Sequence, residues 1–183
     1  MLAKKITILS ILESHSDNLQ INNLNACFGP NLHFTHMSNR EHPQSGGIVI
    51  VMNLNKIHKT PSNITEINPR RAISYMINWP ENSQTKLLTV YVPNAPLENA
   101  SFWSHITTSI KENPSIKPDI ILGDFNMVED AKDCLPPHPD PTSAVEAILD
   151  LKLETNLIDG WRKVNPHPEC DFTFEQPLGG SRS

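Results

Sequence analysis

The chain has 183 residues, and 15 lysines and arginines against 20 aspartates and glutamates give it a formal net charge of −5. A hydrophobic fraction of 38% argues against a disordered chain, and 16 prolines against 7 glycines argue against a long helical bundle or coiled coil. The length predicts a single domain over residues 1–183. The mild acidity argues against a protein that coats nucleic acid, but it permits an enzyme that grips phosphate locally through a metal.

The cysteines and the apolar runs bear on the compartment. Cys27, Cys134 and Cys170 lie far apart and form no C-x-x-C pair, which is typical of reduced thiols in an intracellular protein. The apolar run at residues 6–12 is at the short limit for a signal peptide and has no small-residue cleavage site after it. No stretch approaches the ~20 apolar residues that span a bilayer. We therefore expect an intracellular protein that has no membrane contact, and the sequence gives no indication of its oligomeric state.

Short apolar runs bounded by turn residues predict most of the first two thirds of the chain to be strands. They cover residues 6–12, 48–52, 64–67, 72–79, 87–92 and 119–122. The first run is continuous, so we expect it to be covered on both faces. Residues 17–27 have weak helical spacing. A helix is predicted over residues 99–111, because Phe102, Trp103, Ile106 and Ile110 recur at three- and four-residue intervals.

The last third is predicted to contain one further helix and two short strands. The proline-rich residues 134–141 predict an extended loop, after which Thr142 or Ser143 is expected to cap a helix through about Leu153. Residues 157–162 indicate a strand and turn, and residues 171–174 a last short strand. Arg70 and Arg71 form a two-residue basic spot that is interpreted as a surface turn, with a phosphate contact as the alternative. The element pattern favours an α+β sandwich with helices outside two packed sheets.

Polar side chains follow three of the predicted strands. Glu13 follows the first run, Tyr91 and Asn94 stand at the end of another, and Asp124 and Asn126 follow the run at 119–122. Strand ends can converge on one rim of a layered sheet, where catalytic residues concentrate. Carboxylates that hold a hard cation and neutral donors for phosphate would suit phosphodiester hydrolysis. Spacing alone leaves open that these are strand-capping and turn residues.

The motifs around these residues resemble those of the endonuclease/exonuclease/phosphatase superfamily, and most closely the endonuclease domains of non-LTR retrotransposons. The elements that carry the resemblance, in family order, are L-E-S-H at 12–15, S-G-G-I at 45–48, V-Y-V-P-N at 90–94, G-D-F-N at 123–126, L-I-D-G-W-R at 157–162 and D-F-T-F at 171–174. The resemblance implies the four-layer α/β/β/α sandwich of the deoxyribonuclease-I-like type.

The resemblance also implies a role for each site residue. Glu13 would bind Mg²⁺ or Mn²⁺, and Asp124 would position or deprotonate the attacking water or assist the leaving group. Asn94 and Asn126 would donate amide hydrogens to the phosphate, and Tyr91 would contribute its hydroxyl there. The implied activity is metal-dependent nicking of DNA, with nuclear localisation for an active retroelement product.

The sequence departs from the family pattern at both ends. We expect it to lack the family's first strand with a metal-site Asn, and the C-terminal strands with an acidic ligand and a catalytic His. Leu12 replaces the usual Gln. A fragment truncated in this way is expected to have little or no nuclease activity. Two alternatives remain at this stage: a non-catalytic retroelement relic or partner-binding fragment, and a phosphoinositide or sphingolipid phosphohydrolase.

Overall fold

The computed structural model describes residue 1 and residues 5–37, 47–57, 61–134 and 136–165. These residues fall into two compact units, the first comprising Met1–Tyr91 with Glu112–Asp124, and the second Val92–Lys111 with the described part of Phe125–Ser183. The strand predicted at residues 171–174 lies outside the described residues. Among the described helices, none combines the length and apolar character needed to cross a membrane.

The first unit contains a three-stranded antiparallel sheet in the order β1-β3-β2. Its strands are β1 (Ile8–Leu12), β2 (Leu32–Met37) and β3 (Ile48–Asn53). The predicted strands at 6–12 and 48–52 are thus confirmed. The expectation that the first of them is covered on both faces is wrong, because Leu9 and Ile11 are 38% and 40% exposed. Side chains alternate across a strand, so only one face of β1 packs inward.

The second sheet has four strands in the order β4-β5-β6-β7. Its members are β4 (Ser62–Asn68), β5 (Ala72–Asn78), β6 (Gln84–Tyr91) and β7 (Ile120–Asp124). The first three pair antiparallel, while β7 pairs parallel to β6 and places Tyr91 opposite Asp124. Because β6 and β7 run in the same direction, both end at the same edge of the sheet.

The two sheets share one hydrophobic core inside the first unit. Ile48, Ile50 and Met52 of β3 pack with Ile73 and Tyr75 of β5. The alternate residues of β3, Val49 and Val51, pack with Ile21 of helix α1 (Asn18–Phe28) on the other face. The β3 strand is therefore buried on both sides, which explains its uninterrupted β-branched sequence.

Helix α1 begins at a capping box, as its sequence allows. The Asp17 carboxylate accepts a hydrogen bond from Gln20 N at 2.8 Å, and the Gln20 side-chain oxygen accepts one from Asp17 N at 2.9 Å. Both bonds satisfy backbone donors that a helix start leaves unpaired. Helix formation at 17–27 is thus confirmed despite the weak apolar spacing.

The second unit is built around helices α2 (Pro96–Glu112), α3 (Thr142–Thr155) and α4 (Gly160–Val164). The predicted apolar stripe of α2 is buried at all four positions. The predicted cap of α3 is wrong: Pro141 occupies the N-cap position and no side chain caps the helix there. The strand of the strand and turn predicted at 157–162 is also wrong, since Asp159 accepts a hydrogen bond from Arg162 N at 2.9 Å and starts the helical turn of α4.

Candidate active site

Tyr91 stands at the end of β6 and links two of the predicted site residues. Its hydroxyl donates a hydrogen bond to a carboxylate oxygen of Glu13, which directly follows β1. Asp124, at the end of β7, lies opposite Tyr91 in the strand register. The structure therefore brings together Glu13, Tyr91 and Asp124, which come from the ends of three strands and from both sheets.

The electrostatic environment keeps the Tyr91 hydroxyl protonated. The hydrogen bond to Glu13 raises the pKa of Tyr91 above its usual value, burial adds to this effect, and the negative charges of Glu13 and Asp124 do so as well. Only Arg71 acts in the opposite direction. At neutral pH the hydroxyl is consequently a hydrogen-bond donor, which is the form that can interact with an anionic oxygen.

Arg71 packs against Tyr91, a contact that neither the surface turn nor the phosphate contact considered from the sequence includes. Its guanidinium carbon lies 5.1 Å from the centroid of the Tyr91 ring, and its Nη1 donates a hydrogen bond to Tyr91 O at 3.3 Å. The only signal for this in the sequence is its place just before β5, beside the end of the neighbouring strand β6. Arg71 is a site residue that motif reasoning missed.

Glycine is required where G-D-F-N leaves the sheet. Gly123 has a φ of +145°, and a Cβ built there would lie 1.9 Å from Val90 O on the paired strand. No other side chain fits so close to a neighbouring backbone. Gly123 thereby allows β7 to pair with β6 up to Asp124.

Two of the predicted motifs meet at the start of β3. Ser14 N donates a hydrogen bond to Gly47 O at 3.2 Å. A Cβ on Gly47, whose φ is +99°, would lie 3.2 Å from the Ser14 hydroxyl oxygen. Glu13 itself has a φ of 50°, in the left-handed region that non-glycine residues seldom adopt. The backbone that presents Glu13 is therefore held in an uncommon conformation by the neighbouring strand.

The carboxylates in this region match the needs of magnesium better than those of zinc. Within the described ranges, no group of three or more His, Cys, Asp or Glu residues could hold a metal ion. Mg²⁺ usually binds one or two carboxylates and completes its shell with water and substrate phosphates. Glu13 and Asp124 are both exposed and both influence Tyr91. The donor set thus fits a lightly held Mg²⁺ and lacks the nitrogen and sulfur ligands of a structural zinc site.

Asn94 and Asn126 belong to the second unit. Asn94 is exposed in the turn after β6. The side-chain nitrogen of Asn126 donates a hydrogen bond to Val92 O at 2.7 Å, so the loop after β7 is tied to the loop after β6. The buried Asn99 of α2 donates to backbone oxygens of both loops. Sequence reasoning missed Asn99, whose one signal is an amide side chain on the buried face of a helix.

Comparison with known proteins gives one relative in sequence. No family model matches the chain. Over 118 residues it is 32% identical to the transposon TX1 uncharacterized 149 kDa protein of Xenopus laevis, and the alignment covers 63% of this chain and 9% of that protein. The chain thus spans less than a tenth of the length of this relative.

Solved structures match nearly the whole chain. A 3′-5′ exonuclease from Neisseria meningitidis has a TM-score of 0.73 and 18% identity, with 97% of this chain and 72% of that one covered. The AP endonuclease LMAP from Leishmania major has a TM-score of 0.71 and 16% identity, with coverage of 97% and 66%. The predicted α+β class, with two sheets and flanking helices, is confirmed. The chain thus has the same fold as these two nucleases.

Proposed function

We propose that this chain is a weakly active metal-dependent phosphodiesterase that nicks DNA, in the manner of a retrotransposon endonuclease. The observation that carries the proposal is the hydrogen bond from Tyr91 to Glu13, with Asp124 opposite Tyr91 in the same sheet. The transposon relative and the nuclease folds support the choice of nucleic acid over a lipid phosphate. Action on chromosomal DNA would place the chain in the nucleus.

The proposed roles follow from the chemistry of each group. Glu13 would hold Mg²⁺ or Mn²⁺, and Asp124 could share that task. When bound, the metal polarises a phosphoryl oxygen and lowers the pKa of water. Tyr91 holds its proton, and when the Glu13 carboxylate turns to the metal the hydroxyl can donate that hydrogen to a phosphate oxygen in place of Glu13.

The remaining groups act on the water and on the developing charge. Asp124, placed at a strand end beside Tyr91, would orient the attacking water or take its proton. The resemblance of their motifs would give the amides of Asn94 and Asn126 the role of neutral donors that stabilise the negative charge of the transition state.

Nicking of supercoiled plasmid tests the proposal. We expect relaxed circles to appear with millimolar Mg²⁺ and to be abolished by a chelator. Asp124→Asn should lower the rate about 100-fold, the usual order for loss of a general acid or base. Glu13→Gln should raise the Mg²⁺ concentration at half-maximal rate.

Glu81→Gln is the matched control. Glu81 is an exposed acid in the turn between β5 and β6, at the opposite end of β6 from Tyr91 and roughly 20 Å along the strand. It should nick like the wild type. Duplex DNA with an abasic site and a phosphoinositide, assayed in parallel, identify the substrate class. The proposal is wrong if DNA cleavage is absent, or if it survives both chelation and Asp124→Asn.

A further inference from the structure

One buried side chain in the second unit connects the two loops that carry the amide donors. Asn99, in the first turn of α2, is 2% exposed. Its Nδ2 donates hydrogen bonds to Phe125 O at 3.0 Å and Pro93 O at 3.1 Å, and Asn126 O lies 3.4 Å away. Since an amide nitrogen has only two hydrogens, one of them is shared between two of these oxygens.

The surroundings fix which way the Asn99 amide faces. Three carbonyl oxygens lie around its nitrogen, so the flipped amide would place Oδ1 against them. In the observed orientation Oδ1 is buried and has no hydrogen-bond partner among the described residues. A buried acceptor without a partner costs stability. The two hydrogens on Nδ2 are nevertheless engaged with carbonyl oxygens of both loops, so the amide joins the loops at the expense of its own acceptor.

Neither of the two loops has regular secondary structure, so each depends on other contacts to keep its conformation. Asn126 has a φ of 48°, in the left-handed region, and its side chain spans to Val92 O. Asn94 directly follows Pro93, whose carbonyl oxygen accepts from Asn99, and precedes the start of α2. Such conformations persist only where surrounding contacts over-determine them. The Asn99 amide, bonded to both loops, supplies those contacts.

We propose that Asn99 is a positioning residue that holds the loops bearing Asn94 and Asn126 at a fixed spacing, so that both amides can bind one phosphate group. The inference rests on the proposed function only for the identity of the ligand as phosphate. The link between the two loops follows from the hydrogen bonds of Asn99 alone. Asn99 is buried behind the loops and acts through them.

Asn99→Leu tests this role, because it keeps a side chain branched at Cγ while removing both the donor and the unsatisfied acceptor. We expect kcat for plasmid nicking to fall at least tenfold with KM changed less than threefold, since misplacement of groups that act in the transition state lowers kcat. Thermal stability should change by no more than about 4 °C. Should Asn99→Leu fail to fold, Asn99→Ser must show the same loss of kcat.

Thr107→Val is the matched control in the same helix. Thr107 is 7% exposed, and its hydroxyl donates to Trp103 O at 2.9 Å, so the variant also loses a buried hydrogen bond. It should keep wild-type kcat. An equal loss of kcat in Thr107→Val would overturn the proposal, because the effect would then be one of general stability.

Amide hydrogen exchange provides a readout that does not depend on activity. In Asn99→Leu, exchange at residues 94–95 and 125–127 should accelerate about tenfold, with β5 unchanged and no acceleration in Thr107→Val. Unchanged exchange in Asn99→Leu would overturn the fastening role whether or not the protein is a nuclease. If the wild type does not nick DNA but exchange accelerates as expected, the proposed function fails and the fastening of the loops holds.

Discussion

The guanidinium group of Arg71 lies over the ring of Tyr91, 5.1 Å from guanidinium carbon to ring centroid. The two residues are also joined through the backbone, because Tyr91 N donates to Arg71 O at 2.8 Å and Arg71 Nη1 donates to Tyr91 O at 3.3 Å. Arg71 thus contacts both the ring face and the main chain of Tyr91. The hydroxyl of the same ring donates to Glu13.

Arg71→Met is expected to lower the free energy of unfolding by about 1 kcal/mol, through loss of the cation–π contact and one hydrogen bond. Nicking should weaken as the ring loses its support. Arg71→Lys keeps the charge without the planar group and should give an intermediate result. Urea unfolding and plasmid nicking measure both effects, and a wild-type midpoint in Arg71→Met would contradict the expectation.

The two tyrosines of the chain form a matched pair for testing the Tyr91 hydroxyl. Tyr91→Phe should reduce nicking about 100-fold, the order seen when one transition-state donor is removed, with little loss of stability. Tyr75 is 0% exposed and its hydroxyl bonds to Thr89 at 3.2 Å. Tyr75→Phe should therefore lose about 1 kcal/mol of stability and keep its activity. The reverse pattern would remove Tyr91 from the mechanism.

Gly123→Ala should destabilise the sheet severely. The added methyl carbon would lie 1.9 Å from Val90 O, so β7 would have to move away from β6. We expect a loss of about 3 kcal/mol or more, or failure to fold. Gly160→Ala is the control, because a Cβ there meets nothing within 4 Å and should change stability by less than about 0.5 kcal/mol. Equal thermal stability of the two variants would refute the steric argument.

Stability should fall as the pH drops below about 6.5, in part because of two histidines in β2. Burial lowers the pKa of His33 and His36 from 6.5, although Asp17 partly opposes this for His36. The unfolded chain therefore binds more protons than the folded one in this range, and acid favours unfolding. A His33→Gln/His36→Gln double variant should flatten the urea-midpoint profile between pH 7 and pH 5. A profile as steep in the double variant as in the wild type would contradict the expectation.

The strands and helix α2 could be predicted because the spacing of apolar residues along the chain indicates which of them are buried. The β3 run from Ile48 and the stripe of α2 each bury the residues that the pattern selects. The errors arose where a single polar contact decides the outcome. Asp159 caps α4, so a helix forms where a strand was expected. The spacing of apolar residues carries no signal for such a hydrogen bond.

The candidate site could be predicted as a set of strand ends but not as a set of contacts. Glu13, Tyr91 and Asp124 were predicted from their motifs. That Tyr91 donates to Glu13 depends on how the two sheets face each other, which packing of the shared core decides. Arg71 and Asn99 act through neighbours distant in the chain, and a motif is too short to contain them.

The hydrogen bond between Tyr91 and Glu13 also bears on the order of folding. The two residues are 78 positions apart, whereas the antiparallel strands β4, β5 and β6 connect through short turns. The chain loses conformational entropy when a long loop closes, and the stabilising contacts between its ends form only afterwards. We expect the hairpins of the second sheet to form early and the site of Glu13, Tyr91 and Asp124 to be completed late. A chain that already has native hairpins can therefore still lack any place for a metal ion.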